Sequence, residues 1–146
     1  MTKTVCTFLN KTRGQALSYC LASALELNPE FDPIEQTVYV LDENGERHDF
    51  EFINPILHVQ LSLSFRVDLN WDNNVVYAQI LNGDEKFYAP GNDTLEAVAR
   101  VVAKANNGNK SFVDVPESLL RFGVEIVSDD IRKKHDPHFT PKLILG

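Results

Sequence analysis

Two helices with N-terminal capping signals, set on either side of a β-rich middle, place this chain in the α+β class. The first helical segment opens at Thr12-Arg13-Gly14-Gln15 and continues Ala-Leu-Ser-Tyr-Cys-Leu-Ala-Ser-Ala-Leu. The second opens at Asp93-Thr94-Leu95-Glu96 and continues Ala-Val-Ala-Arg-Val-Val-Ala-Lys-Ala. In each, a side chain that can accept a hydrogen bond is followed three places on by Gln or Glu, the capping-box pattern. Between them, β-branched and aromatic residues, an Asn-Gly turn and alternating polarity indicate paired strands. A length of 146 residues suits one domain. The expectation is a single α+β domain over residues 1–127, an antiparallel sheet of about four to six strands with both helices on one face. Residues 128–146 are expected to form a C-terminal tail that packs on a neighbouring subunit.

Residues 4–9 are short, apolar and β-prone, and read as an edge strand. From Thr12 the helix runs to about Glu26, burying Leu17, Cys20, Leu21 and Ala24 at i, i+3, i+4 and i+7. Pro29 and Pro33 then make an irregular loop. Thr37-Val38-Tyr39-Val40-Leu41 is a strand, Asn44-Gly45 is its hairpin turn, and the return strand is Glu46 to Ile53. Asn54-Pro55 breaks that strand. Between Ile56 and Leu69, Leu57, Val59, Leu61, Leu63, Phe65, Val67 and Leu69 share one parity and His58, Gln60, Ser62, Ser64, Arg66 and Asp68 the other, which predicts a long amphipathic strand. Asn70 to Asn74 is a predicted turn, Val75 to Leu81 a strand, Asn82 to Glu85 a turn, and Phe87-Tyr88-Ala89 a short strand. The second helix buries Leu95, Val98, Val102 and Ala105 and stops at Asn106-Asn107-Gly108-Asn109, with Gly108 left-handed. Pro116 to Leu120 suits a short helix led by proline. Residues 123–127 are a candidate last strand.

The formal net charge is −7. Nonspecific nucleic-acid binding needs a basic footprint, so nucleic acid is not an expected partner. The acidic residues are scattered, as solubility requires, with no run that would mimic DNA. A domain of this size buries roughly two thirds of its unfolded surface and folds without disulfides or metals. Cys6 and Cys20 form no C-x-x-C and have no histidine at ligand spacing. Met1 to Cys6 lacks the apolar core of a signal peptide, and no apolar run approaches about eighteen residues. A cytoplasmic, reduced setting is expected, with no membrane, metal or cofactor.

Several constellations carry possible chemistry. His138-Phe139-Thr140 is an H-x-T, and His58-Val59-Gln60 is a partial second copy. Paired H-x-T/S motifs resemble the 2H phosphoesterases, in which two histidines serve as acid and base and the hydroxyls hold phosphate. Here Gln60 replaces the second hydroxyl, and Pro141 follows the first motif. His135-Asp136-x-His138 has too few neighbours to close a metal site. No Walker A loop, G-x-G-x-x-G, G-x-S-x-G or H-E-x-x-H occurs. On the predicted long strand, His58, Gln60, Ser62, Ser64 and Arg66 stand in a row about 7 Å apart. Such a row faces solvent or lines a groove suited to a polar, nucleotide-like ligand. Tyr19 lies off the first helix's apolar stripe, and Arg100 interrupts the second. A guanidinium fork there suits phosphate or carboxylate, or else its stem covers the sheet. Trp71, in an Asn/Asp-rich turn, is a candidate partner anchor or a core plug.

Three segments carry a family resemblance. They are Thr12-x-Gly14-x-Ala16-Leu17-x-Tyr19-x-x-Ala22, Ala97-x-Ala99-Arg100-x-x-Ala103, and Val113-Asp114-Val115-Pro116-Glu117-x-Leu119. With Asn54-Pro55-Ile56-Leu57 they resemble the small bacteriophage proteins typified by NinX, over roughly residues 5–120. That family's aromatic-rich stretch before its Pro-Ile-Ile element is replaced here by the 37–53 hairpin, and the tail after Arg121 has no counterpart. The resemblance implies a phage origin and a fold, and supplies no mechanism. Small accessory phage proteins often counter host defence. The expected function is therefore binding, without catalysis, in the cytoplasm of an infected cell. Sequestration of a nucleotide-like signal by Tyr19, Arg100, His58, Gln60 and Arg66 is the first expectation, with a subunit interface as a possible setting in a homo-oligomer. Inhibition of a host defence protein through Trp71 is the alternative, and a 2H-like phosphoesterase the second alternative.

Overall fold

The structure, a computed structural model, describes residues 3–135. Strand β1 (Thr4–Phe8) leads through a 3-10 turn at Leu9–Lys11 into helix α1 (Gly14–Ala24). Strands β2 (Glu30–Asp32), β3 (Thr37–Leu41) and β4 (Arg47–Asp49) precede helix α2 (Pro55–Ser64). Strands β5 (Asp68–Asp72), β6 (Val75–Asn82) and β7 (Glu85–Gly91) lead into helix α3 (Thr94–Asn106). Strand β8 (Phe112–Pro116), a 3-10 turn at Glu117–Leu119 and helix α4 (Asp129–His135) complete the described chain. The α+β class and the antiparallel pairing hold. The strands divide among three small sheets, ordered β1-β8, β2-β3-β4 and β5-β6-β7.

Helix α3 lies across β6 and β7, and α1 lies beside α3. Val76, Ala78 and Ile80 of β6 and Phe87 and Ala89 of β7 face α3's buried Val98, Val101 and Val102, with Leu17 and Leu21 of α1 in the same core. A second cluster of Leu9, Cys20, Ala103, Val115 and Leu119 joins both helices to the β1-β8 pair. Outside that pair, residues 123–127 run along β1. The Phe8 amide donates to the Glu125 carbonyl and the Val127 amide to the Cys6 carbonyl. The predicted last strand is thus reduced to a single bridge between Thr7 and Ile126.

At α3 the cap forms, Asp93 Oδ1 accepting the Glu96 amide at 2.8 Å, while Glu96 Oε1 accepts the Asn92 amide at 3.4 Å in place of the Asp93 amide that a full box would use. The α1 capping box does not form. Thr12 Oγ1 donates back to the Leu9 carbonyl at 2.7 Å, and Gln15 Oε1 accepts the Val38 amide at 3.0 Å. Gly14 has φ +55°, which stops a helix from starting at Thr12, so α1 starts at Gly14 with Arg13 as its uncapped flanking residue. The Phe122 carbonyl takes the place of a cap, accepting the Ala16 amide at 2.9 Å.

The predicted long strand over 56–69 is corrected. Pro55–Ser64 is helical and Asp68–Asp72 is a separate strand. Asn54 Oδ1 accepts the Ile56 amide at 3.0 Å, and Pro55 occupies the first helical turn. The Asn-Pro pair therefore starts a helix as well as ending the segment before it. Asn70, Trp71 and Asp72 accordingly sit in β5 and not in a turn. The turn tightens to Asn73-Asn74, with φ +49° and +69°, the left-handed pair of a hairpin that matches strand twist.

Candidate functional site

A groove of about 740 Å³ opens where the C-terminal ends of α1 and α3 meet β8 and α4. Tyr19, Ser23 and Glu26 come from α1 and its exit. Asn106, Asn107, Asn109, Lys110 and Ser111 come from the end of α3 and its loop, and Asp114 and Arg132 close the far side. The volume is that of a small-ligand site. Glu26 and Asn109 hold φ +60° and +61°, so both rims turn sharply and aim backbone as well as side chains at the opening.

The chemistry of the lining is polar and mixed in charge. Two helix C-termini contribute partial negative charge, which favours ligand donors such as amino and hydroxyl groups. The three asparagines both donate and accept, as recognition of a heterocycle edge requires. Arg132 Nη1 donates to Asp114 Oδ1 at 3.3 Å. Burial raises the Tyr19 phenol's pKa, helped by Cys20 and Glu30, so it stays protonated and can donate. Burial pushes the Cys20 thiol up to about 12, which leaves no thiolate to act as a nucleophile at neutral pH.

Of the ligand residues expected from sequence, Tyr19 alone lines this groove. Arg100 is buried elsewhere. Its Nε and Nη2 donate to the Thr12 carbonyl at 3.1 and 2.8 Å, its Nη1 donates to the Pro90 carbonyl at 2.9 Å, and Glu96 lies 2.7 Å away. Four of its five N–H donors are engaged within the protein and the side chain is buried, so it is not the open fork that a ligand would need. His58 and Gln60 ride on α2, and Arg66, with φ +51°, follows its end. The polar row therefore does not exist as a strand face: residues two apart on a helix point about 200° apart. His58 is half-buried and its Nδ1 has no hydrogen-bond partner. Trp71 is 57% exposed on β5 and is not a core plug. His138 and Thr140 of the H-x-T lie outside the described residues, as do Asp136 and the tail's Leu143-Ile144-Leu145.

In the sequence the groove's asparagine loop has the form of a helix stop, and the β8 segment stands out only as part of the family resemblance. A run of Asn-Asn-Gly-Asn before a β-branched segment is the signal that could have joined them. On the β3-β4 hairpin, ligand atoms of Asp42, Glu46 and His48 lie within 4.8 Å of one another. Asp42 is already occupied there, accepting the Asn44 and Glu46 amides at 2.9 Å and meeting His48 Nε2 at 2.7 Å. The trio builds the turn and is the place among the described residues where a cation would find three ligands. Among the described residues no helix is long and apolar enough to cross a membrane. No protein-family model and no curated protein matches the chain.

Proposed function

We propose that this protein is a phage accessory protein that acts by binding. Its ligand is a small nucleotide-like molecule held in the groove between α1, α3 and β8. The observation that carries this is the lining: a tyrosine ring, three asparagines, and Lys110 and Arg132 beside the carboxylates of Glu26 and Asp114, around about 740 Å³. A base stacks on Tyr19, amides read its edge, and Lys110 meets a phosphate, beside Arg132 held by Asp114. The helix C-termini and Glu26 disfavour a highly charged polyphosphate, so a ligand of low charge fits best. Sequestration of such a signal in the cytoplasm of an infected cell follows from the phage resemblance of the sequence, which supplies the biological setting.

The test is recovery of ligand. The protein is incubated with cyclic and ADP-ribose-type nucleotides, washed, and heated to release what it holds. Intact nucleotide is expected, with Tyr19→Ala reducing the amount at least about ten-fold, the loss of one stacking contact. Altered nucleotide would favour the 2H-like enzyme instead, and His58→Ala would then abolish turnover. No retention of any nucleotide would overturn the ligand reading. The other reading, direct contact with a host defence protein, is favoured by the exposure of Trp71, and Trp71→Ala is its test.

A further inference from the structure

Helix α2 is apolar on two sides. Leu57, Leu61 and Phe65, spaced four apart, turn towards the main core. The opposite side carries Ile56, Val59 and Leu63, 69%, 53% and 75% exposed, at i, i+3 and i+7. Gln60 is exposed on the same stripe. Two apolar residues of β5 are uncovered as well. Leu69 and Trp71 pair with Ala78 and Val76, both fully buried, so they belong to the helix-covered face of the sheet, yet both are exposed. From Phe52 to Phe65 the chain has no Asp, Glu, Lys or Arg, in a protein of net charge −7.

We propose that this stripe is where two copies of the chain associate, α2 packing antiparallel on α2 about a two-fold axis. Charge selects the occupant. An anionic membrane or a nucleic acid would require Lys or Arg here, and an electrostatically steered protein partner would leave complementary charge. Two acidic copies instead meet without opposing like charges at an uncharged face. Symmetry agrees. The midpoint of Ile56 and Leu63 falls between Val59 and Gln60, so a two-fold axis there sets Ile56 on the second copy's Leu63 and reciprocally. The two Gln60 amides then lie near the axis, where each can donate to the other and fix the register.

The rival self-contact, β5 pairing with β5, is disfavoured. An antiparallel pair centred on Asn70 would oppose Asp68 of one copy to Asp72 of the other, twice. The size of the stripe sets the strength. Its side chains offer on the order of 300 Å² of apolar surface per copy, against about 800 Å² in a standard interface. The dimer is therefore small and transient, and dissociates on dilution.

Sedimentation velocity of the full chain from about 1 µM to about 500 µM, the range in which weak association shows, reads this directly. A concentration-dependent dimer is expected, weakened at least about ten-fold by Leu63→Glu, as for an interface hot spot. Leu63 is exposed in the monomer, so circular dichroism should show L63E folded. Under oxidation, Gln60→Cys should cross-link to a dimer, and Glu43→Cys, on the distant β3-β4 turn, should not. A monomer at every concentration overturns the proposal. So does a dimer that L63E leaves unchanged, or equal cross-linking of Q60C and E43C. Monomer that binds phosphatidylcholine vesicles and loses that binding in L63E would also overturn it, assigning the stripe to lipid.

Discussion

The guanidinium of Arg100 ties three parts of the chain at one point: Thr12 before α1, Pro90 in β7, and Glu96 one turn back on α3. Burial pulls its pKa down, opposed by the Glu96 carboxylate. Both partners are almost fully buried, so removing one strands the other. Arg100→Met is expected to cost about 3–5 kcal/mol in urea unfolding. The double variant R100M/E96M should recover at least about 1 kcal/mol of that loss, because no charge is then left unpaired. A double variant no more stable than the single would mean that Glu96 is not stranded. The sequence marked Arg100 as unusual, an Arg on an apolar helix, but could not show what it holds. Its main acceptors are the Thr12 and Pro90 carbonyls, and a backbone carbonyl has no residue-type signature. Tyr19 was legible for the opposite reason. Its displacement from the Leu17-Leu21 stripe follows from helical geometry alone, and that displacement puts it on the groove.

At the scale of elements, local chemistry was readable wherever one signal had one meaning. Asn44-Gly45 and Asp93-Glu96 each specify a turn or a cap, and both form. Asn54-Pro55 has two meanings, strand break and helix start, and the alternation after it favoured the wrong one. Leu57, Leu61 and Phe65 satisfy a period of two and a period of four at once, so the pattern could not decide. The β3-β4 hairpin shows how a turn is built from charge. Hydrogen bonding from His48 holds the Asp42 carboxyl below its ordinary 3.8, aided by the Glu46 and Asn44 amides. Arg47 does the same for Asp32, with the Glu35 and Ile34 amides. Folded values below unfolded values mean that the stabilisation is complete above pH 3.8 and lost as pH falls through the folded values. Carboxyl carbon shifts followed by NMR should therefore show both aspartates titrating below 3.8. Midpoints at or above it would contradict the assigned contacts.

At the scale of the molecule, three small sheets are held together by α1, α3 and the 122–127 segment. That segment passes so close to α1 that a Cβ on Gly123, at φ +103°, would lie 1.8 Å from the Arg13 carbonyl oxygen. Gly123→Ala should therefore cost about 2 kcal/mol or more in thermal or urea unfolding. Gly83→Ala, also at positive φ but with nothing within 4 Å, should cost about 1 kcal/mol. Equal losses would place the Gly123 penalty in the backbone alone. Sequence could not foresee this contact, because it joins residues more than a hundred positions apart. The same contact orders events on the ribosome. The Phe122 carbonyl completes the start of α1, and the Thr7 hydroxyl meets the Glu125 carbonyl across a separation of 118 residues. A nascent chain of one hundred residues has already made α1 and most of α3, yet lacks the strand and the carbonyl that finish both ends of that core. The helices of this core therefore stay unfinished until residues 122–127 have left the exit tunnel.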